Sequence, residues 1–222
     1  MRTINVKGTG EVTVAPDLIY ASINVNGVEK TYADAIKKSA ETTNLLKEAI
    51  KRTGLEPSIL KTTKLSIRPK HERYQDRKGW KEKFVGFQYA HKLSLEFDND
   101  NKILGKVLYE LANFGGESTF NIDYTVKDVE SVRNELLKKA VEDSKRKAEV
   151  LAYAAKVKLG KIQNIDYSWG TVNIYTRPLD FGDNLRYKGV CYDSVAGSYD
   201  VDVDAEDITV EDTVTIVFEI LD

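Results

Sequence analysis

Short stretches in which apolar and polar residues alternate one by one dominate this chain, and only three longer stretches repeat with helical spacing. A period of two sets one face of a strand against a core and the other toward water, so much of the fold must be half-buried sheet. Thr3 to Val14 places Ile4, Val6, Val12 and Val14 at such intervals, broken by Lys7-Gly8-Thr9-Gly10, which reads as a bulge or bend. Leu18 to Val28 alternates again after the turn Ala15-Pro16-Asp17, and the two segments are expected to form a hairpin. Ile59 to Arg68 reads as a strand stopped by Pro69. Phe84 to Phe97, Thr119 to Val126, Ile162 to Tyr167 and Ile208 to Ile220 are the remaining strands.

Three helices are expected between them. Thr31 and Asp34 form a capping-box-like start, Tyr32, Ile36, Thr43, Leu46 and Ile50 follow at helical spacing, and Gly54 closes the helix. The second helix runs from about Asp100 to Phe114 with Ile103, Val107, Leu108 and Leu111 on one face, ended by Gly115-Gly116. The longest starts near Asp128 and reaches Lys158, ended by Leu159-Gly160. Its stripe of Val132, Leu136, Ala140, Ser144, Ala148, Leu151 and Ala155 is rich in small residues, which implies close contact with a sheet or another helix.

The resulting order, β-β-α-β-β-α-β-α-β-β, lacks strict β-α alternation and predicts an α+β fold, a largely antiparallel sheet packed under helices. Strand-helix-strand occurs in both halves, which suggests an internal pseudo-repeat. Residues 1–222 are read as one domain, with a charged loop over 70–83 and an irregular aromatic arm over 169–200.

Composition narrows function by exclusion. Lys and Arg number 33 against 35 Asp and Glu, so the chain as a whole does not attract nucleic acid or anionic lipid, although a local patch remains open. The single cysteine, Cys191, rules out an intrachain disulfide and a Cys-based zinc site. No apolar run approaches the roughly 20 residues of a membrane-spanning helix. Met1-Arg2-Thr3-Ile4 enters strand-like sequence without a signal-peptide core, so either the protein is cytoplasmic or a start methionine replaces a removed export signal.

Four stretches carry a resemblance to a known family. They are Val6-Lys7-Gly8-Thr9-Gly10-Glu11-Val12-Thr13-Val14-Ala15-Pro16-Asp17; Ser66-Ile67-Arg68-Pro69 with Gly86-Phe87-Gln88-Tyr89-Ala90; Lys147-Ala148-Glu149-Val150-Leu151-Ala152 with Leu159-Gly160-Lys161-Ile162; and Ile208-Thr209-Val210 through Val214-Thr215-Ile216-Val217-Phe218. In order and spacing they resemble the SIMPL-domain family over almost the whole chain. Phe87 stands where a tyrosine is usual, and Ala205-Glu206-Asp207 where a Pro-Gly-Glu turn is usual. The resemblance implies an α+β fold with a pseudo-repeat and a tendency to multimerise. Its bacterial members are mostly exported envelope or periplasmic proteins, some tied to oxidative-stress defence and some forming channel-like rings. A eukaryotic member binds a signalling kinase. No catalytic residues are established for the family, so none carries over.

Read for chemistry, the residues give little. Gly8-Thr9-Gly10 lacks the third glycine and the following helix of a dinucleotide loop. Asp200, Asp202, Asp204 and Glu211 fall at positions one, three, five and twelve of a calcium loop, but Ala205 stands where glycine is required and a strand follows. A solvated acidic turn is the stronger reading, with an adventitious hard-cation site behind it. His71 and His91 have no ligand spacing, and Cys191 no local activating partner. Lys145, Arg146 and Lys147 read as the wet face of the long helix. The loop after Arg68 mixes basic and aromatic residues as single-strand nucleic-acid binders do, yet Glu72, Asp76 and Glu82 dilute it. Tyr74 and Trp80 there, and Trp169, Tyr175, Phe181, Tyr187, Tyr192 and Tyr199 in the arm, are candidate assembly contacts, because exposed aromatics anchor interfaces.

The expected function is therefore non-catalytic: no cofactor, no specific nucleic acid, no transmembrane segment, and a homo-oligomer with a structural or stress-related role in the envelope. The alternatives are a monomeric or dimeric module that binds a peptide, protein partner or small ligand, and an enzyme whose groups converge only in the fold.

Overall fold

The computed structural model describes residues 2–76, 79–115, 118–167, 174, 199 and 204–221. Their elements run β1 (Arg2–Val14), β2 (Leu18–Glu29), α1 (Tyr32–Thr53), a short 3-10 turn (Pro57–Ile59), β3 (Lys61–Asp76), β4 (Gly79–Asp98), α2 (Asn101–Asn113), β5 (Ser118–Thr125), α3 (Val129–Ala154), β6 (Lys158–Asp166) and β7 (Ile208–Leu221). The order of strands and helices is the expected one, and the class is α+β. The strands divide into a three-stranded sheet, β1-β7-β6, and a four-stranded sheet, β3-β4-β2-β5.

The chain forms two compact units. A terminal unit holds Met1–Asp17, Thr125–Thr176 and Ala205–Asp222; a central unit holds Leu18–Tyr124 and Arg177–Asp204. This division corrects the expected hairpin between the first two strands. β1 pairs with β7 in unbroken antiparallel register from Arg2↔Ile220 to Val14↔Ile208, whereas β2 pairs with β4. Ala15-Pro16-Asp17 is thus a link and not a hairpin turn. The Asp17 N–H donates to the Thr125 carbonyl (3.1 Å), and its carboxylate accepts from the Lys127 N–H (2.8 Å).

In the terminal unit α3 lies on β1 and β7. The unbroken register also overturns the bulge expected at Gly8 and Gly10. What those glycines provide is room. A Cβ on Gly8 would stand 2.0 Å from the Ala140 carbonyl oxygen, and one on Gly10 2.0 Å from that of Leu136. The small side chains of α3 complete the contact: Ala140, Ser144 and Ala148 are fully buried. The buried stripe continues Val132, Leu136, Ala140, Ser144, Ala148, Ala152, so Leu151 and Ala155 turn outward, against the sequence-based expectation. α3 ends at Ala154, and Gly160 lies inside β6 instead of closing the helix.

β1 is an edge of its sheet, and α3 covers that edge with side chains. Lys147 Nζ donates to the Lys7 carbonyl (3.3 Å), Asp143 accepts from the Thr9 N–H (2.9 Å), and Lys139 Nζ donates to the Glu11 carbonyl (3.0 Å). Four helical residues rise about 6 Å and two strand residues about 6.8 Å, so the two ladders stay in step. Lys147 is therefore engaged and does not simply point into water.

The central unit reads β2-α1-β3-β4-α2-β5 in sheet order β3-β4-β2-β5, a split β-α-β arrangement in which strand-helix-strand occurs twice. Its core sets Ile19, Ala21, Ile23 and Val25 of β2, with Leu93, Leu95 and Phe97 of β4, among Leu46, Ile50, Leu104 and Val107 from the helices. Local signals hold well here. Thr31 caps α1 through the Asp34 N–H (3.1 Å), Asp100 caps α2, and Gly54 ends α1 at φ 93°. Tyr32 and Ile36, however, are exposed, and Ala35, Ser39 and Thr42 take the buried side of α1.

Candidate interaction surface

β3 does not stop at Pro69. It is an edge strand, where a residue without an N–H need cost no ladder bond, and it runs on to Asp76. β4 follows it from Gly79, so the charged loop expected over 70–83 is a two-stranded arm over all its described residues. β2 pairs with β4 only as far as Glu29↔Phe87, whereas β3 and β4 stay paired from Lys70↔Gly86 to Asp76↔Gly79. The ribbon thus extends about 20 Å past its neighbour.

Register assigns each arm side chain to a face. Gln75↔Trp80, Arg73↔Glu82 and His71↔Phe84 share one face, and Glu72↔Lys83 and Tyr74↔Lys81 the other. On the first face, His71 meets Phe84 at 5.6 Å between ring centroids, Phe84 meets Phe87 at 5.4 Å, and Phe87 meets Tyr32 at the start of α1 at 5.8 Å, all edge to face. The Arg73–Glu82 pair (2.9 Å) lies between this cluster and Trp80. These rings are not core: Trp80 is 70% exposed, Tyr32 53% and Phe84 47%. Of the expected contacts, Tyr74 and Trp80 both lie on this arm, on opposite faces. Tyr32, Phe84 and Phe87 join the surface without having been singled out; the spacing Trp80, Glu82, Phe84 on one strand face was the available signal.

The other candidates separate. Tyr199 packs on its own unit: its N–H donates to the Gly105 carbonyl (3.2 Å) and its ring meets Tyr109 at 5.5 Å. Trp169, Tyr175, Phe181, Tyr187 and Tyr192 lie outside the described residues, as do Cys191, Asp200 and Asp202. Asp204 is exposed, and Glu211 sits in β7 opposite Glu11. Among the described residues no group of three or more His, Cys, Asp or Glu is placed to hold a metal.

Among the described residues, His91 is the one imidazole with close polar partners. It is buried between α1 and the sheet, with Nδ1 2.9 Å from Ser39 Oγ and 3.1 Å from Thr43 Oγ1, and Nε2 2.9 Å from Thr62 Oγ1. The Thr43 hydroxyl already donates to the Ser39 carbonyl (2.9 Å), so toward Nδ1 it can only accept. With the proton on Nδ1, Nε2 accepts from Thr62; with it on Nε2, Ser39 donates to Nδ1 and Thr62 accepts, so the hydroxyls satisfy the ring in either tautomer. Burial lowers the imidazole pKa and keeps the ring neutral. A hydroxyl beside an imidazole is the beginning of a nucleophile–base pair. Here Ser39 and His91 are both buried and every ring nitrogen is satisfied by a hydroxyl, an arrangement that ties α1 to the sheet.

Elsewhere, Lys147, the Thr9 N–H and Arg146 together hold the Asp143 carboxyl well below the usual carboxylate range. The Tyr167 hydroxyl donates to Asp212 (2.8 Å), which raises its pKa.

Fold and sequence together define the class: the chain belongs to the SIMPL family, a family of unknown function (DUF541), whose model matches residues 4–218. It is similar to the 26 kDa periplasmic immunogenic proteins of Brucella melitensis biotype 1 and Brucella abortus strain S19, each 28% identical over 163 residues, or 73% of this chain. The chain spans 65% of the length of those relatives. Among the described residues no helix is long and apolar enough to cross a membrane.

Proposed function

We propose that this protein is a non-catalytic SIMPL protein that works by self-association, with the aromatic face of the β3–β4 arm as a contact between copies. The observation that carries this reading is the arm itself. A two-stranded ribbon standing alone is marginally stable in water, and this one carries exposed rings at Trp80 and Phe84, beside the exposed Tyr32 of α1. Rings of this kind, rimmed by an ion pair such as Arg73–Glu82, are what interfaces bury. The periplasmic designation of the Brucella relatives favours an exported, envelope location for this chain as well. A structural role in that compartment follows from assembly; a stress-linked role has the family resemblance as its support.

The test is sedimentation velocity on the full chain and on the double variant Trp80→Ser, Phe84→Ser. The wild type is expected to sediment as a discrete oligomer and the variant as a smaller species with unchanged circular dichroism. A wild type that is monomeric throughout, or a variant with the same sedimentation as wild type, would contradict the proposal.

A further inference from the structure

The sheet of the central unit has a second face, turned away from α1 and α2, whose β3 side is basic, with the carboxylates of Glu96 and Asp98 confined to one end of β4. Register places Lys61, Lys64, Arg68 and Lys70 of β3 on it, together with Lys92 of β4. Lys61, Lys64, Arg68 and Lys92 are exposed. Lys70 has Glu72 3.8 Å away, and the other four form no ion pair among the described residues. This column runs for about 30 Å along β3 in a chain whose formal net charge is −2.

Lysines and a proline on an edge strand have an ordinary explanation, because they discourage strand-to-strand aggregation. That explanation accounts for Lys61, Lys64 and Lys70. It does not reach Lys92, which sits on the inner strand β4 directly opposite Lys64. Like charges directly opposite destabilise a sheet. An unfavourable pair kept at the centre of a face is a mark of use, since a bound anion would turn the repulsion into attraction.

The neighbours of that pair indicate which anion. Asn24 of β2 completes the row with Lys92 and Lys64, and its buried Oδ1 makes no hydrogen bond. Ser22 and Asn26 flank it on β2, opposite Ser94 and Ala90 of β4, and Gln88 lies one step farther along β4, between Val28 and Arg68. Around Lys64 and Lys92 the face thus presents the hydroxyls of Ser22, Ser66 and Ser94 and the amides of Asn24 and Asn26, with only Ala90 apolar among them. Single-stranded nucleic acid calls for successive aromatic platforms under its bases; the arm's ring cluster lies on the opposite face, and the rings on this one, Tyr20 and Tyr74, stand apart from the Lys64–Lys92 row. A protein partner calls for apolar anchors and disfavours lysine. Hydroxyl and amide groups between fixed cations suit a chain that carries both hydroxyls and acid groups.

We infer that this face binds an acidic polysaccharide, with Lys64, Arg68 and Lys92 on its carboxylates and the Asn24 and Asn26 amides on its hydroxyls. The inference is independent of self-association, which uses the other face of the same ribbon.

The experiment is fluorescence anisotropy of the full chain at low ionic strength with fluorescein-labelled oligogalacturonate, neutral dextran and poly(dT). Oligogalacturonate is expected to bind saturably, to weaken steeply with added salt, and to lose about tenfold or more in affinity in the Lys64→Glu, Lys92→Glu variant, given that each neutralised contact steepens the salt dependence. The control Lys37→Glu, Lys47→Glu, two exposed positions on α1, is expected to bind as wild type. The milder pair Lys64→Ala, Lys92→Ala guards against misfolding of the reversal. Absence of oligogalacturonate binding, wild-type affinity in both Lys64/Lys92 variants, or poly(dT) binding as tight as oligogalacturonate would overturn the inference.

Discussion

Gly8→Ala adds one methyl group where the terminal unit has no space for it. The new Cβ would lie 2.0 Å from the Ala140 carbonyl oxygen, 2.7 Å from the Ser144 nitrogen and 2.8 Å from Ser144 Cβ. Two of those atoms are backbone, so no rotamer change relieves the clash and α3 must retreat by about 1 Å or more. Overpacking of this kind costs about 1–3 kcal/mol. The retreat also stretches the bonds that span the contact, notably Ser144 Oγ to the Val6 carbonyl (3.3 Å) and the Thr9 N–H to Asp143 (2.9 Å). At about 1 kcal/mol each, they bring the expected loss to about 4 kcal/mol. For a chain of this size that lowers the melting temperature by about 8–16 °C, read by far-UV circular dichroism. If the two units melt separately, only the terminal unit's transition moves. Gly54→Ala is the comparison: at φ 93° with nothing within 4 Å, it meets only the left-handed backbone penalty of about 1–2 kcal/mol. A Gly8→Ala protein that melts no lower than Gly54→Ala would refute the close-packing account.

Two substitutions extend the test to hydrogen bonding and to pH. His91→Leu strands the buried Ser39 hydroxyl and the Thr62 hydroxyl, and is expected to cost about 2–4 kcal/mol in urea unfolding. Because burial lowers the folded-state pKa of His91, the stability of its neutral form is fully present above the ordinary value of 6.5 and is lost as pH falls through the lower folded value; His91→Leu removes that part of the pH dependence. Asp143→Ala frees the Thr9 N–H on the β1 edge and is expected to cost about 1 kcal/mol and to speed hydrogen exchange at Thr9. Since the Asp143 pKa is held down, its contribution is present above the ordinary 3.8 and disappears as pH falls below it, so wild type and variant converge in acid.

What the chain declares locally, it declares reliably. Thr31, Asp100, Asp128 and Gly54 mark helix ends because caps are satisfied within a turn of the residue that makes them. Pairing is different. β1 binds β7 across nearly the whole chain length, and no feature within Thr3–Val14 distinguishes that partner from the adjacent Leu18–Glu29. Gly8 and Gly10 were ambiguous because a bulge and a close approach use the same residue; the four-residue spacing of Leu136, Ala140 and Ser144 was the clue to the second. Pro69 suggested a stop only if β3 were an inner strand. In the arm, charge hid the period of two, so Trp80 and Phe84 were not recognised as neighbours on one face, and Tyr32 joins them only through the tertiary fold.

The most direct test of self-association through the arm is light scattering after size exclusion, on the full chain and on a chain whose residues 71–84 are replaced by a tight Asn-Gly turn. Lys70 and Val85 would then be joined at the point where β2 support ends. The account predicts a discrete oligomer for the full chain and a folded monomer or smaller species for the shortened one. Equal masses for the two chains would contradict it.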